Sequence, residues 1–232
     1  MSRPTETLAK IGLFRSLDAT AIRHLDSQCS WRRVSRNAWI IDYQDPSNDV
    51  FFIVSGTVHV KIQSVSGREL LLREIGPGEF FGELAAIDNQ PRSSGILAVT
   101  DVTIARMPPS VFLAVLHDHA DVCDQLLALL VRQVRILANR VNEFTTLDVR
   151  HRIYAELLRL SRPEPGRPKR GLISPPPIHA EIAARVSTRR EAVAREFKAL
   201  ERADLIERRR GAIVLTDMAK LRKLIEQASE LD

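Results

Sequence analysis

A glycine-rich stretch, residues 76–94, carries the residue types that a small phosphate ligand requires. Its glycines allow close approach of the backbone, and the free N–H groups of a helical turn beginning at Glu83 would face an anion. Arg92 can bind phosphate oxygens, Ser93 can add a hydroxyl, and Glu83 can accept a hydrogen bond from a sugar hydroxyl. A glycine-rich barrel corner with an incidental Glu–Arg surface pair would contain the same residues. The spacing alone therefore leaves both interpretations open.

The sequence around this stretch, residues 31–107, predicts short strands. Apolar and β-branched runs alternate with turn signals, a pattern typical of a small antiparallel roll or barrel. The turn signals are Asp45–Asp49, Ser55-Gly56, Ser66-Gly67, Gly76–Gly78 and Asn89–Pro91.

Phe81–Ile87 followed by Pro91–Ser94 resembles the phosphate-binding cassette of cyclic-nucleotide-binding domains. The resemblance implies that Glu83 holds the ribose 2′-hydroxyl and that Arg92 holds the cyclic phosphate. It further implies that neighbouring positions surround the phosphate, here Gly82, Leu84, Ala85 and Ser93.

Outside the cassette, Phe52–Val58 and Gly76–Glu79 match strand and turn signatures of the same domain. Two glycines that are usual near the start of such a roll are absent. Asn37 and either Gln44 or Asp45 stand in their places.

Apolar residues recur at alternating steps of four and three through residues 111–144, the spacing of a coiled-coil seam. No Pro or Gly interrupts the stretch, so we predict one continuous helix. Its apolar stripe could cover the core of its own domain or pair with a second chain, and the family resemblance favours a parallel homodimer. The predicted seam is Leu127, Leu130, Val134, Leu137, Val141 and Phe144.

The chain as a whole resembles the Crp/Fnr superfamily of regulators, most closely the cyclic-AMP receptor protein type, in which this helix closes over the nucleotide's base. By alignment on Leu147–Val149, the hydroxyl residues that contact the base correspond to Leu137 and Ala138. Neither side chain can hydrogen-bond a purine edge. The resemblance implies cyclic AMP as the effector. Cyclic GMP, another effector, or regulation without a ligand are the alternatives.

Positive charge is concentrated towards the C-terminus. Residues 150–210 contain sixteen Lys and Arg against eight Asp and Glu, a net charge of +8, although the whole chain carries +5. This asymmetry predicts a polyanion partner at that end. Two helices with helix-turn-helix spacing are predicted there, Ile178–Val186 and Thr188–Arg202, joined by a turn at Ser187.

The outer face of the second of these helices carries side chains that suit DNA bases. Arginine can bond guanine O6 and N7, and glutamate can accept from cytosine N4. Thr188–Glu191 is also a possible capping box, so a helix-end role for Glu191 stays open. Residues 205–215 predict a two-stranded wing, where Arg209 would either contact a phosphate or be simply solvated. The candidate DNA-binding residues are Thr188, Arg189, Arg190, Glu191, Arg195 and Arg209, of which Arg190, Glu191 and Arg195 match the family's recognition helix.

We expect an α+β fold in three parts. These are a cyclic-nucleotide-binding β-roll of jelly-roll type with N-terminal helices (residues 1–109), a long dimerisation helix (110–146) and a winged helix-turn-helix DNA-binding domain (147–232). Asp148 is a good helix cap and a candidate hinge. A last helix, Thr216–Leu231, is predicted to be capped by Thr216. The resemblance implies a homodimer on a palindromic double-stranded DNA site, with RNA polymerase as a further partner.

Composition argues against other classes of protein. No apolar run reaches the roughly 18 residues that cross a bilayer, and the N-terminus lacks a signal-peptide core, so we expect a cytoplasmic protein without a membrane partner. Cys29 and Cys123 are far apart and the histidines show no ligand spacing, so we expect no metal, haem or iron–sulfur cluster. No nucleophile, base and orienting group occur together, which argues against an enzyme and any catalytic residue. A kinase regulatory subunit would not need the helix-turn-helix.

Overall fold

The computed structural model describes residues 7–63 and 69–229. The chain divides into two compact units, Met1–Gln133 and Val134–Asp232, and each has buried apolar clusters of its own. Among the described residues, no helix combines the length and the apolar character needed to cross a membrane. The predicted turn at Ser66-Gly67 lies outside the described residues.

The first unit begins with two 3-10 turns, Leu8–Lys10 and Gly12–Phe14, followed by helix α1 (Ala19–Gln28). Asp18 caps α1, because its carboxylate accepts from the backbone N–H groups two and three residues further on, both at 2.8 Å. The turns bury their apolar side chains in a cluster shared with the strands that follow.

The strands of this unit form the predicted roll from two antiparallel sheets. The strands are β1 (Ser30–Val34), β2 (Trp39–Ile41), β3 (Val50–Ser55), β4 (Val58–Gln63), β5 (Glu69–Ile75), β6 (Phe80–Phe81), β7 (Gly95–Ala98) and β8 (Val102–Met107). One sheet has the order β1-β8-β3-β6 and the other β2-β7-β4-β5. Ile53, Val58, Ile75 and Ile104 are fully buried in one cluster, which draws on both sheets.

Two turns near the start of the roll hold their residues in the left-handed backbone region. Asn37 has φ of 65° and Gln44 has φ of 66°. These are the places where the resemblance predicts glycine. Asn adopts this conformation at small cost, whereas Gln is strained there. Both turns therefore adopt the left-handed backbone conformation although neither contains the expected glycine.

The prediction of one continuous helix over residues 111–144 is wrong, because two helices occupy that stretch. α3 (Pro109–Asp118) and α4 (Ala120–Thr146) are separated by His119, whose backbone is extended at φ −130° and ψ 91°. The His119 N–H closes α3, and its carbonyl accepts from the first N–H groups of α4 at 3.0 and 3.1 Å. Apolar residues lie on both sides of the break and neither Pro nor Gly marks it, so the sequence pattern does not show it.

The second unit contains the predicted winged helix-turn-helix. After the end of α4 its elements are α5 (Val149–Leu160), β9 (Arg162–Glu164), β10 (Arg167–Ile173), α6 (His179–Arg185), α7 (Arg190–Arg202), β11 (Ile206–Arg209), β12 (Ala212–Leu215) and α8 (Met218–Ser229). The strands form one antiparallel sheet of order β11-β12-β10-β9, in which the wing pairs with a hairpin. Tyr154, Phe197 and Leu221 are buried together at the centre of this unit.

The second helix of the helix-turn-helix begins at Arg190 and not at the predicted Thr188, and the predicted capping box is absent at its start. Thr188 closes the preceding helix instead, since its N–H donates to the carbonyl of Ala183 at 2.9 Å. Ser187 lies between them with φ of 52°. This is a Schellman ending, in which Ser187 occupies the position that glycine usually takes.

The cap predicted for the last helix is also wrong. Asp217 caps α8, because its carboxylate accepts from the N–H of Lys220 at 2.9 Å. The hydroxyl of Thr216 donates to the carbonyl of Asp204 and is therefore used outside the helix. The predicted end of this helix, Leu231, lies outside the described residues.

Candidate nucleotide-binding and DNA-binding sites

The predicted cassette turn is helix α2 (Glu83–Asp88), which follows β6 directly. Gly82 joins the two elements with φ of 89°, a conformation that L side chains rarely adopt. A Cβ atom there would lie 2.7 Å from Nη1 of Arg92 and 2.8 Å from the carbonyl oxygen of Asp49. Only glycine fits at this position, so the backbone of the cassette and the Arg92 side chain pack closely together.

Arg92 is only 2% exposed, and its guanidinium lies inside the roll. Nε donates to the hydroxyl of Ser47 at 3.1 Å, Nη1 to the carbonyl of Gly82 at 3.0 Å, and Nη2 to the carbonyl of Asp49 at 2.8 Å. The Arg92 backbone N–H also donates to the carbonyl of Asp45 at 2.9 Å. These contacts hold a cation at a fixed place beside the cassette.

Glu83, at 6% exposed, is the second buried charged group of the cassette. Burial raises the pKa of its carboxyl group, while its own backbone N–H and the guanidinium groups of Arg73 and Arg92 oppose that shift. A carboxylate and a guanidinium thus face the same interior. This is the pair of groups that a sugar hydroxyl and a phosphate need.

The remaining cassette residues differ in their exposure. Ala85 lies on the buried face of α2 and is 4% exposed, whereas Leu84 is 45% exposed. Ser93 is exposed as well. The structure therefore places Glu83, Ala85 and Arg92 in the interior, leaves Gly82 partly buried, and leaves Leu84 and Ser93 at the surface.

Sequence reasoning missed the loop that holds Arg92. Ser47 and Asp49 supply two of the three acceptors of its guanidinium, and Asp49 also accepts from Arg106 Nη2 at 2.6 Å. The stretch Asp45–Asp49 shows only a turn signal in the sequence. Its contacts join positions more than 40 residues apart, which no local motif indicates.

The predicted seam residues of α4 fall into two groups. Leu127, Val134, Leu137 and Val141 are between 50% and 66% exposed, and Ala138 is exposed too. Leu130 instead packs against the apolar cluster of the first unit. Phe144 is half-buried in the second unit, with the guanidinium groups of two arginines 5.4 and 4.9 Å from its ring centre.

The face of α7 that carries the candidate base-contacting residues is exposed. Arg190, Glu191 and Arg195 point to solvent, while Val193, Phe197 and Leu200 on the other face are buried. Arg189 is exposed as the N-cap residue and Thr188 is half-buried. The helix thus presents two cations and one carboxylate outward in the arrangement that was predicted.

The wing arginine Arg209 is exposed but paired. Its guanidinium bonds Glu164 at 2.6 Å and Glu207 at 2.9 Å. These hydrogen bonds raise the pKa of Arg209, and the bonds from Arg209 and Arg170 lower the pKa of Glu207 to about 2. Two carboxylates therefore compete with any phosphate for this arginine.

Asp148 caps α5, as predicted. Its carboxylate accepts from the His151 N–H at 2.9 Å and contacts the ring Nδ1 of the same residue at 2.8 Å. The capping geometry belongs to the second unit alone. The hinge role of Asp148 stays a prediction.

A buried carboxylate ties the last turns of α4 to the helix-turn-helix. Glu156 of α5 is 1% exposed and accepts from Arg140 of α4 at 2.7 Å, and it also bonds Arg159. Arg185 of α6 lies 3.6 Å away. The guanidinium of Arg140 donates in addition to the carbonyl of Arg185. Accordingly, the compact unit that contains the helix-turn-helix begins within α4, at Val134.

A roll with a buried Glu–Arg cassette and a winged helix-turn-helix with an exposed basic helix define a class, the DNA-binding proteins that also carry a roll of nucleotide-binding type. Comparison with known proteins supports the same class. Residues 31–119 match the family model of the cyclic nucleotide-binding domain, and residues 151–224 match that of the Crp-like helix-turn-helix domain.

Curated relatives extend the match. The CRP-like cAMP-activated global transcriptional regulator of Mycobacterium tuberculosis (strain CDC 1551 / Oshkosh) is 30% identical over 157 residues, which cover 68% of this chain and 70% of the relative. The cAMP-activated global transcriptional regulator CRP of Escherichia coli O6:H1 is 27% identical over 190 residues, covering 82% and 90%. The chain belongs to the Crp/Fnr family and is a DNA-binding transcription regulator with a cyclic-nucleotide-binding domain.

A solved structure shares the fold. The c-di-GMP-responsive global regulator CLP of Xanthomonas campestris superposes with a TM-score of 0.70 at 24% identity, covering 85% of this chain and 99% of that chain. At this identity the likeness concerns the fold alone.

Proposed function

We propose that the protein is a homodimer whose affinity for DNA is controlled by a cyclic nucleotide, with cyclic AMP as the first candidate. The observation that carries the proposal is the pair of buried charged groups, Glu83 and Arg92, at 6% and 2% exposed beside the Gly82 turn. Charged side chains are rarely buried so fully without a partner of opposite charge or a ligand to bind.

The cyclic phosphate would replace the groups that now accept hydrogen bonds from the Arg92 guanidinium. Those partners are a hydroxyl and two backbone carbonyls, all neutral acceptors. A hydrogen bond between two charged groups is roughly twice as strong as one between neutral groups, so a phosphate competes well for the guanidinium. Glu83 would accept from the ribose 2′-hydroxyl, which distinguishes a ribonucleotide from a free phosphate.

A second candidate function arises because the contacts to the nucleotide base are not specific for adenine. Leu137 and Ala138 offer apolar surface but no donor or acceptor for a purine edge. Two curated relatives are named for activation by cAMP, while the CLP regulator is described as responsive to c-di-GMP. The alternative is thus the same architecture responding to cyclic GMP, to another effector, or to none.

The exposed apolar side chains of α4 support the homodimer. Burial of an apolar side chain stabilises by about 1.5–3 kcal/mol, so a helix with this exposed row is expected to pair. Val134→Glu would place two carboxylates opposite each other in a parallel pair, whereas Asn139→Glu adds the same charge off the seam. Sedimentation should show a monomer for the first variant and a dimer for the second. A dimer that tolerates Val134→Glu would contradict the predicted seam.

DNA recognition would follow from the two-fold symmetry. A dimer presents two copies of α7, and half-sites about 34 Å apart correspond to one turn of DNA. Rotation near Asp148 would convert the dimer between a form with this spacing of the recognition helices and a form without it. The nucleotide would favour the form with this spacing. It can do so only by binding that form more tightly than the other. We place this regulator in the cytoplasm, with a palindromic DNA site and RNA polymerase as its partners.

Calorimetric titration of the purified chain with cyclic AMP and, separately, cyclic GMP tests the first half of the proposal. Saturable binding of either nucleotide with one site per chain is the expected result, and the tighter of the two identifies the effector. Heat from neither nucleotide would contradict cyclic-nucleotide control and favour the alternative.

A further inference from the structure

Arg73 occupies a strand position at which the roll otherwise has apolar side chains. β5 pairs with β4 in antiparallel register, with Arg73 opposite Val60 and Ile75 opposite Val58. These three apolar residues are buried in the cluster between the sheets. Because alternate residues of a strand share a face and paired residues lie on the same side, Arg73 lies on the inward face of its sheet.

The Arg73 side chain reaches the strand that leads into the cassette. Its Nη2 lies 3.4 Å from the carbonyl oxygen of Phe80, three residues before Glu83. A hydrogen bond of this length is weak and does not by itself account for a half-buried guanidinium on an inward face. The contact places a second cation beside β6, which ends two residues before Glu83.

Glu83 is faced by two cations, and the structure distinguishes them. Arg73 approaches from β5 and Arg92 from the segment after α2, and both oppose the burial-driven rise in the pKa of Glu83. Arg92 has other partners besides Glu83, because its guanidinium donates to three neutral acceptors. Burial and Arg106 lower the pKa of Arg92, whereas the carboxylates of Asp45, Asp49 and Glu83 raise it.

We propose that Arg73 is a positioning residue for Glu83, which keeps this carboxylate as the acceptor for the ribose 2′-hydroxyl of a cyclic nucleotide. The inference rests on the proposed function and adds a third charged residue to its site. Arg73 thereby joins Arg92 and Glu83 as a charged residue that bears on ligand binding.

The test compares cyclic AMP with 2′-deoxy cyclic AMP in the wild-type protein and in Arg73→Gln. Losing a hydrogen bond to a charged acceptor costs about tenfold or more in affinity, so the wild type should prefer cyclic AMP by that factor. In Arg73→Gln the preference should shrink to about twofold at neutral pH. Arg73→Lys, which keeps the charge, should restore it. The readout is a ratio within each variant, so a general loss of stability does not imitate it.

The pH dependence gives an independent readout. Ionised Glu83 accepts the hydroxyl more strongly than protonated Glu83 does, so the preference for cyclic AMP is greatest above its pKa and weakens as the pH falls through it. Removing Arg73 raises that pKa further, and the loss should therefore begin at a higher pH in Arg73→Gln. Arg106→Gln, which removes a cation that acts on Arg92, should leave the pH midpoint unchanged.

The possible outcomes separate this inference from the proposed function. Wild type that binds none of cyclic AMP, 2′-deoxy cyclic AMP and cyclic GMP overturns both. Wild type that prefers cyclic AMP while Arg73→Gln keeps the full preference overturns the role of Arg73 alone. An equal loss for both nucleotides in Arg73→Gln would assign Arg73 to the phosphate, and a changed ratio of cyclic AMP to cyclic GMP would assign it to the base. Either result contradicts positioning through Glu83.

Discussion

Replacing Arg92 by alanine should remove nucleotide binding while the fold survives. In the free protein the change deletes three hydrogen bonds, to the Ser47 hydroxyl and to the carbonyls of Gly82 and Asp49. At about 1 kcal/mol for each bond, the loss of about 3 kcal/mol stays below the 5–15 kcal/mol that stabilises a typical domain. Two charge-assisted bonds to the phosphate are together worth about 3–6 kcal/mol, so the dissociation constant should rise by more than about 100-fold.

The assay is calorimetric titration with cyclic AMP and cyclic GMP, beside circular dichroism and sedimentation to show that the variant is folded and dimeric. Arg106→Ala is the matched control, because it removes an arginine whose side chain is 54% exposed and bonds Asp49 in the same roll. Screening by solvent should limit its effect on affinity to about threefold. A folded Arg92→Ala protein with wild-type affinity would refute the assignment of the phosphate site.

Three further changes test the DNA-binding unit. Arg195→Ala should weaken binding to a specific site by about 1–3 kcal/mol in gel shifts, and Arg202→Ala, at the far end of the same helix, should not; an equal loss on random DNA would make Arg195 a phosphate contact. Ser187→Gly should raise the melting temperature, because an L residue in the left-handed region costs about 1–2 kcal/mol and glycine about 0.5–1 kcal/mol, and a lower melting temperature would contradict the strain at this turn. Glu156→Gln should destabilise this unit by about 3–5 kcal/mol in denaturant titrations, since it removes the buried charge that pairs with Arg140 and Arg159. Glu201 pairs with Arg208 on the surface and its side chain is 35% exposed. Glu201→Gln should cost less than about 1 kcal/mol, and equal losses would mean that burial of Glu156 has no energetic consequence.

The parts of the site that the sequence predicts are those in which function depends on close spacing along the chain. Gly82, Glu83 and Arg92 lie within one short segment, and the structure brings their backbone and side chains together. The exposed face of α7 was predicted for the same reason, because helical periodicity separates Arg195 from the buried Phe197.

The parts that the sequence does not predict depend on contacts between distant residues or on competition between local motifs. Ser47 and Asp49 reach Arg92 across more than 40 positions, and Arg73 reaches the cassette through strand pairing. At Thr188 the sequence predicts a cap for α7. The structure uses Thr188 to end α6 instead, because its N–H closes the Schellman motif.

The measurement that tests the central claim most directly is DNA affinity with and without nucleotide. A palindromic duplex selected by the protein from a random library would be titrated by fluorescence anisotropy at fixed salt, alone and with saturating cyclic AMP or cyclic GMP. Nucleotide control predicts that one of the two tightens binding by about 5- to 150-fold, the range typical of coupled sites. Equal affinity under all three conditions would contradict cyclic-nucleotide control of this regulator.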